Sequence, residues 1–360
     1  MKWLIFTLML PHLKPTSFEY LWPALGQIFD IGRVLSALII VYLYILKKKL
    51  PSKVVWLLAL FQAWLVFATY LQNSENMQRA LISPVSIVSI ALLIDFFSNN
   101  VKSLLSGILL NMEMLHYANY ISVLLYPSGM YGSSDGANYL LGNRNQFITY
   151  VLLAIVVALL YMQLFKKAMR PILLILVSCL SIIQTWSANS IVALLVFGGV
   201  ILLEKTKIAP WITYPRIFGI TAVADVLISV FRVMERISLI SGFIESFLRR
   251  NITLTGRTAL WDIFYVRFAA SPWIGYGRFA STRGTLSAHN QWFQFLLEGG
   301  MIGLALFLLF TYVSVKRMMK FKNSSLIFIF YGVFAALYMA FIADVYGSQP
   351  WLYILYIFAY

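Results

Sequence analysis

The apolar run PILLILVSCLSII, residues 171–183, shows what kind of chain this is, because runs of the same kind recur from one end to the other. Hydrophobic residues make up 61% of the sequence and charged residues 11%. In a soluble domain about a quarter of the residues are charged. The composition therefore excludes a soluble domain and indicates an all-α polytopic membrane protein.

The same run contains Cys179, the single cysteine of the chain. One cysteine cannot form a disulfide framework or a cysteine metal site within one chain, and we expect Cys179 to be a small buried hydrophobic residue. The N-terminal stretch MKWLIFTLMLPHLK, residues 1–14, has a lysine and a short apolar core but no small-residue cleavage site. We therefore interpret it as a retained first segment and not as a removed signal peptide.

Twelve apolar segments are candidates for membrane crossing, since a spanning helix needs about 20 apolar residues. They fall roughly at 2–13, 24–46, 54–72, 80–98, 103–126, 139–165, 170–187, 189–203, 211–231, 290–315, 324–345 and 349–360. The first and the last are short. The sequence thus predicts about 10–12 transmembrane helices.

Lysine-rich linkers set the orientation of these helices. They fall at alternate gaps: 46–53, 166–170, 204–207 and 316–322. Lys and Arg in short loops stay on the cytoplasmic side, so the long hydrophilic stretch 232–289 is expected outside. The predicted organisation is N-terminal helices at 1–231, one large extracytoplasmic loop with short amphipathic helices at 232–289, and C-terminal helices at 290–360.

Lysine and arginine separate on this topology. Thirteen of the 14 lysines lie inside, whereas 11 of the 14 arginines face outward. Eight of these are in the long loop: Arg232, Arg236, Arg249, Arg250, Arg257, Arg267, Arg278 and Arg283. A guanidinium group binds phosphate oxygens bidentately and keeps its charge near lipid. The loop therefore indicates a site for a phosphorylated or otherwise anionic partner, and nucleic acid is not expected as a partner.

The middle of the loop, NITLTGRTALWDIFYVRFAASP at 251–272, has the pattern of an interfacial amphipathic helix. Four residues share one face at helical spacing: Arg257, Trp261, Phe264 and Phe268. Thr255 is the expected N-cap and Pro272 the expected end of the helix.

The loop ends in SAHNQWFQFLLEGG, residues 287–300, which leads into the next membrane helix. Ser287 is predicted to cap that helix, with His289 and Asn290 in its first turn. A helix start favours anions and a neutral imidazole, and a neutral imidazole beside a bound anion is suited to accept a proton from a hydroxyl group.

Asp225 is an ionisable residue inside a predicted span, where such groups are usually functional. Arg232 is seven residues further on and lies on the same helix face. A functional role for Asp225 and a structural pair with Arg232 are equally supported by the sequence.

An ordered set of motifs over residues 256–303 resembles the signature of the O-antigen ligase and Wzy-type polysaccharide polymerase superfamily. The matching residues are Gly256, Arg257 and Trp261; Pro272, Gly275 and Gly277; His289 and Asn290; and Leu296, Glu298, Gly300 and Gly303. The stretch LLGNRNQFITYVLLAI is similar to a second motif of the family through Gly142, Arg144 and Asn145. Where many relatives carry a Ser-Arg pair, this chain has Ser187 and Ala188, so that arginine is missing or is supplied from elsewhere, for instance by Arg144.

The resemblance implies a metal-independent glycosyltransferase of the GT-C kind, without a cofactor, in the bacterial cytoplasmic membrane. Its donor would be an undecaprenyl-diphosphate-linked oligosaccharide, and its acceptor a glycan hydroxyl group at the extracytoplasmic face. Three groups of site residues follow: catalytic His289 and Arg257; diphosphate-binding Arg257, Arg144, Arg232, Arg278 and Arg283; and, as acceptor contacts or supports, Asn290, Gln291, Trp261, Tyr276, Asn145 and Glu298.

Polymerase and ligase differ in the acceptor within this family. A chain of 360 residues without an additional soluble domain favours polymerisation of capsular or exopolysaccharide repeats. The alternative is a ligase that transfers glycan to a lipid core or another acceptor. A flippase or transporter is less favoured, because no internal repeat is found. Further expected partners are membrane lipid, a flippase and a chain-length regulator.

Overall fold

The computed structural model describes residues 1–72, 74–132, 137–233, 257–279, 287–319 and 324–358. The described residues form α-helices joined by short turns and 3₁₀ segments, together with a small hairpin. The helices are α1 (Lys2–Met9), α2 (Ser17–Tyr20), α3 (Pro23–Lys47), α4 (Lys53–Gln72), α5 (Met77–Phe97), α6 (Val101–Leu125), α7 (Phe147–Phe165), α8 (Met169–Thr185), α9 (Ala188–Leu202), α10 (Tyr214–Ser229), α11 (Arg257–Ala270), α12 (Gln291–Met318), α13 (Ser324–Phe341) and α14 (Pro350–Phe358). The antiparallel hairpin pairs β1 (Asn138–Tyr139) with β2 (Gly142–Asn143).

The prediction of an all-α polytopic membrane protein is confirmed. Among the described residues, six segments are long and apolar enough to cross a membrane: Pro23–Lys47, Lys53–Gln72, Ser74–Leu125, Arg144–Phe165, Ala188–Lys205 and Gln291–Met318. The third has 52 residues and contains both α5 and α6. Two shorter helices, α8 and α13, are also apolar. The count of 10–12 crossings and the side of each loop stay predictions.

The helices group into two compact units. The first unit comprises Met1–Ala59, Ile82–Ser187 and Ser348–Tyr360, and the second comprises Leu60–Leu81 and Ala188–Gly347. These units follow packing, whereas the three segments predicted from the sequence follow the side of the membrane. That division of the chain stays a prediction.

In the first unit, α6 packs against α1, α7 and α8. α1 and α6 can approach closely because Gly107 has no side chain. A Cβ at this residue would lie only 2.8 Å from the Cβ of Ile5. Between α6 and α8, the His116 Nδ1 atom lies 2.9 Å from the Ser178 hydroxyl group. Such buried polar pairs link helices where lipid offers no hydrogen bonds.

In the second unit, α13 packs against α9 and α10, and α11 packs against α12. The Tyr214 and Tyr338 hydroxyl groups, from α10 and α13, lie 2.6 Å apart. α11 is held by a core cluster of Trp261, Phe264, Ala288, Phe293 and Leu297. This cluster fixes the extracytoplasmic segment predicted from the sequence to the start of α12.

Candidate functional site

The amphipathic helix predicted in the arginine-rich loop is present as α11. It begins at Arg257 and ends at Ala270, two residues before Pro272. Its apolar face packs as predicted, with Trp261 fully buried and the Phe264 ring stacked on Phe293 at a centroid distance of 4.2 Å. The predicted cap, Thr255, lies outside the described residues.

The next motif residue, Gly300, breaks α12. Its φ of 61° and ψ of −164° are not helical, and a side chain at this residue would be strained there. A break within a membrane helix exposes backbone groups that must find partners inside the protein. One partner is the Trp64 indole of α4, whose Nε1 donates to the Gly299 carbonyl oxygen at 2.7 Å.

The segment 272–277, which carries the Pro-x-x-Gly-x-Gly motif, supplies further partners on both sides of the break. Tyr276 N donates to Leu297 O at 2.7 Å, Gly277 N to Glu298 O at 2.9 Å, Met301 N to Pro272 O at 2.8 Å and Ile302 N to Trp273 O at 3.3 Å. Contact is so close that a Cβ on Gly300 would lie 2.2 Å from the Trp273 carbonyl oxygen. The Pro-x-x-Gly-x-Gly motif and the glycine motif of α12, which are separate in sequence, are therefore joined in one structural unit.

The start of α12 differs from the prediction. Asn290, and not Ser287, is the N-cap, and its Oδ1 accepts hydrogen bonds from Trp292 N at 2.9 Å and Phe293 N at 3.1 Å. His289 therefore precedes the helix and does not lie in its first turn. Its φ of 45° is in the left-handed region, a strained backbone conformation for a residue with a side chain.

Asp225 holds this cap in place. The Asn290 Nδ2 atom donates to Asp225 Oδ1 at 2.7 Å, and both residues are buried. Arg232, which the sequence offers as an alternative partner of Asp225, donates to the Asp262 carboxylate on α11. The structure thus shows a tertiary contact for each residue, from Asp225 to α12 and from Arg232 to α11.

His289 faces an acidic residue that the sequence analysis did not include. Its Nδ1 lies 3.7 Å from Asp344 Oδ1, and both side chains are mostly buried. Asp344 lies just after α13, at the end of a predicted span. An ionisable residue at the end of an apolar run was the signal for a functional group, as it was for Asp225.

The loop that carries Asp344 also contacts Gln291. The Gln291 Oε1 atom accepts hydrogen bonds from Tyr346 N and from Gly347 N, the latter at 2.7 Å. Burial raises the pKa of the Tyr346 phenol well above its usual value, the Asp344 carboxylate raises it further, and the positive charge of Arg257 lowers it. Arg257 thus lies close enough to act electrostatically on the loop beside His289.

Arg278 and Glu298 are buried beside the break in α12. Arg278 is only 2% exposed, its guanidinium group donates to Gln62 Oε1, and its backbone N donates to Thr69 Oγ1 at 2.8 Å. Glu298 Oε1 accepts a hydrogen bond from Gln294 Nε2 at 2.8 Å, within reach of the Arg278 charge. Both residues support the loop and the helix break.

Trp261 and Tyr276, predicted as contacts or supports, have supporting roles. The Trp261 Nε1 atom donates to Ala288 O at 3.0 Å, directly before His289. The Tyr276 hydroxyl group donates to Arg267 O at 3.0 Å, which ties the motif loop to α11. Arg283 lies outside the described residues.

Arg144 and Asn145 belong to the first unit, whereas the other described site residues belong to the second. They follow strand β2 and begin a short 3₁₀ segment that Asn143 caps through a hydrogen bond from Asn145 N to Asn143 Oδ1 at 2.9 Å. The Arg144 Nη1 atom donates to Thr185 O at 2.9 Å, at the C-terminal end of α8. Its guanidinium group thus contacts Thr185, two residues before Ser187. This is next to the place where the family's Ser-Arg pair is expected.

Comparison with known families gives a match that covers most of these residues. The O-antigen ligase family model matches residues 136–308. No curated protein and no solved structure matches the chain. The family implies a glycosyltransferase-like enzyme of the membrane. Residues 136–308 thus match the O-antigen ligase family, which confirms the resemblance drawn from the motifs.

Proposed function

We propose that the protein polymerises undecaprenyl-diphosphate-linked oligosaccharide repeat units of a capsular polysaccharide, an exopolysaccharide or an O-antigen at the extracytoplasmic face of the bacterial cytoplasmic membrane. An acceptor sugar hydroxyl oxygen attacks the anomeric carbon of the donor glycan. The bond from that carbon to the phosphate oxygen breaks, and undecaprenyl diphosphate leaves. The reaction needs a base for the hydroxyl proton and cations for the leaving diphosphate.

The observation that carries this proposal is the pairing of His289 with Asp344. Because Nδ1 of the imidazole faces the Asp344 carboxylate at 3.7 Å, Nε2 is the nitrogen left to take the acceptor proton. At this distance the carboxylate stabilises the imidazolium ion that forms through its charge. The strained backbone at His289 is consistent with a residue whose position is set by function.

Arg257 is a proposed diphosphate ligand, and its charge acts on Tyr346 in the loop that carries Asp344. It opens α11, so the guanidinium group and the N-terminal amides of the helix both favour an anion. Two such donors aimed at the leaving diphosphate stabilise the developing charge without a metal ion. The same binding role is proposed for Arg144, on its family motif, and for Arg283. Arg232 and Arg278 are proposed to support the site indirectly, because their guanidinium groups donate to Asp262 and Gln62 in the fold.

The acceptor side is proposed to involve Gln291, whose amide oxygen is bound by the loop at Tyr346 and Gly347. Gln291 Nε2 is buried and has no hydrogen-bond partner among the described residues. Asn290, Trp261, Tyr276 and Glu298 position the backbone around His289 instead of contacting sugar, because their polar groups are bound within the protein. Asn145 is assigned the same positioning role for Arg144.

A glycan acceptor is proposed over a protein acceptor because the described part of the extracytoplasmic segment is not a separate folded domain. Its described part between residues 257 and 289 consists of one helix and two short loop segments, and α11 and residues 272–277 pack against α12. The assay below distinguishes a glycan acceptor from a lipid-core acceptor, and hence a polymerase from a ligase.

The test uses the purified full-length protein with a synthetic lipid-linked repeat unit as the donor. We expect ladders of lengthened lipid-linked glycan and release of undecaprenyl diphosphate, with the same rate when excess chelator is present. Formation of glycan only on an added lipid core would identify a ligase. Activity that needs added divalent ions would contradict the metal-independent mechanism, and an inactive protein that moves the intact donor across vesicles would indicate a transporter.

A further inference from the structure

Two tyrosines of the first unit form an aromatic surface that the reaction does not use. The rings of Tyr20 and Tyr131 stack with centroids 5.2 Å apart and an interplanar angle of 24°. Each ring covers one face of the other, and Tyr20 is still 66% exposed. We call this pair the tyrosine platform.

The ion pairs beside the tyrosine platform indicate that it lies at the level of water and not within lipid. Glu19, the residue before Tyr20, pairs with Lys14 at 3.1 Å, and its side chain is 53% exposed. Lys14 also pairs with Asp30 at 3.0 Å, whose side chain is 48% exposed. Carboxylates that are half exposed do not face hydrocarbon. A ring that only anchors the protein in the headgroup region does not need this charged neighbourhood.

The tyrosine platform is held rigidly on the hairpin of β1 and β2. Ser17 N, at the start of α2, donates to Leu140 O at 3.2 Å in the turn between the strands. Tyr131 forms an isolated bridge with Asn138, and Met130 N donates to Asn138 O at 2.7 Å. A pre-ordered aromatic face costs little conformational entropy when a ligand stacks on it.

The hairpin also sets the backbone spacing between Tyr131 and the residue before Arg144. Tyr131 pairs with Asn138, and Asn138 pairs with Asn143, the residue before Arg144. Neighbouring strands lie about 4.8 Å apart, so Tyr131 is roughly 10 Å from Asn143. A short oligosaccharide whose diphosphate end is bound at Arg144 would therefore reach the platform with a sugar beyond the first.

We propose that the tyrosine platform binds a sugar ring of the donor glycan, one or more units away from the diphosphate, and so helps to select donors that carry a full repeat unit. The C–H face of a pyranose stacks on the open face of Tyr20, and the Glu19 carboxylate accepts hydrogen bonds from its hydroxyl groups. This role depends on the proposed function through Arg144, but sugar binding itself can be measured without turnover.

The first test is equilibrium binding in detergent. The probe is the repeat-unit oligosaccharide of the source strain, released from its lipid carrier by mild acid so that it has no phosphate. We expect the Tyr20→Ala variant to bind it about two- to tenfold more weakly than wild type, the range that an aromatic contact contributes. Tyr20→Phe keeps the ring and is expected to bind as wild type does. Tyr42→Ala is the matched control, because Tyr42 is 58% exposed on α3 and has no stacking partner among the described residues.

Equal binding by wild type, Tyr20→Ala and Tyr42→Ala would overturn the platform while leaving the proposed function to its own turnover assay. Conversely, Tyr20-dependent binding by a protein that does not turn over donor would support the platform and reject the polymerase. With active protein, Tyr20→Ala is expected to raise KM for a full-repeat donor and not for a donor with one sugar. An equal rise for both donors would contradict the distance derived from the hairpin.

Discussion

The side-chain amide of Asn290 connects two helices directly beside the proposed base. Its Oδ1 caps α12, and its Nδ2 donates to the Asp225 carboxylate of α10 at 2.7 Å. Because His289 is the preceding residue, this bond fixes the backbone that carries the imidazole. Asp225 is thus a positioning residue, distant in sequence but only one hydrogen bond from the residue next to His289.

We expect Asp225→Leu to lower kcat by about 100-fold with little change in the KM for donor, since a small misplacement of a catalytic group has effects of that size. Asp225→Asn keeps an acceptor oxygen for Asn290 and is expected to retain most of the activity. Steady-state kinetics on purified variants of equal abundance make the comparison. An Asn variant as inactive as the Leu variant would mean that the charge of Asp225, and not the hydrogen bond, is needed.

The Asp225 contact also marks the limit of what the sequence predicts. The spacing of Arg257, Trp261, Phe264 and Phe268 predicts α11 and its buried face, because helical periodicity is local information. Asn290 and Ser287 are comparable N-caps by propensity. Asn290 has an additional contact with Asp225, 65 residues away in sequence, and no local pattern predicts it.

The pairing of His289 with Asp344 is hidden from the sequence for the same reason, since neither residue's local pattern specifies the other. The glycine motifs were readable as a family signature, but their physical purpose was not. Gly300 and the loop at 272–277 are explained only by the bonds between the loop and the broken helix.

Removal of the proposed base is the most direct test of the mechanism. His289→Ala is expected to lower kcat by roughly 10²–10⁴-fold, the usual contribution of general-base catalysis, without a change in abundance. Asp344→Asn is expected to lower kcat less, because the imidazole remains. If the two residues act as a unit, the double variant loses no more activity than His289→Ala alone. Near-normal turnover by His289→Ala would remove the base and leave the cations as the source of catalysis.

A substitution at Arg257 tests whether diphosphate binding needs only a positive charge or also the geometry of the guanidinium group. Lys keeps the positive charge but not the planar fork that binds two phosphate oxygens, so Arg257→Lys is expected to lose most of its activity. The variant should remain in the membrane at normal abundance, and donor binding should weaken. A fully active Arg257→Lys variant would reduce this residue to a headgroup anchor.

The predicted topology places residue 283 outside the cell and residue 48 inside. Single cysteines at these two positions in a Cys179→Ser background are to be labelled in intact cells with a membrane-impermeant thiol reagent. We expect labelling at 283 and protection at 48 until the cells are permeabilised. The reverse pattern would place the arginine-rich loop in the cytoplasm and contradict both the topology and the proposed site.

The break in α12 gives a stability prediction with an internal control. A Cβ at Gly300 would lie 2.2 Å from Trp273 O, and the alanine would need a strained backbone φ of 61°. Gly300→Ala must therefore displace the loop at 272–277. We expect a lower melting temperature in detergent and loss of turnover. Gly198 in α9 has no atom within 4 Å of its added Cβ, so Gly198→Ala is expected to be neutral or to stabilise by up to about 1 kcal/mol through helix propensity. If both variants melt and turn over alike, the loop and the helix break are not coupled as the hydrogen bonds indicate.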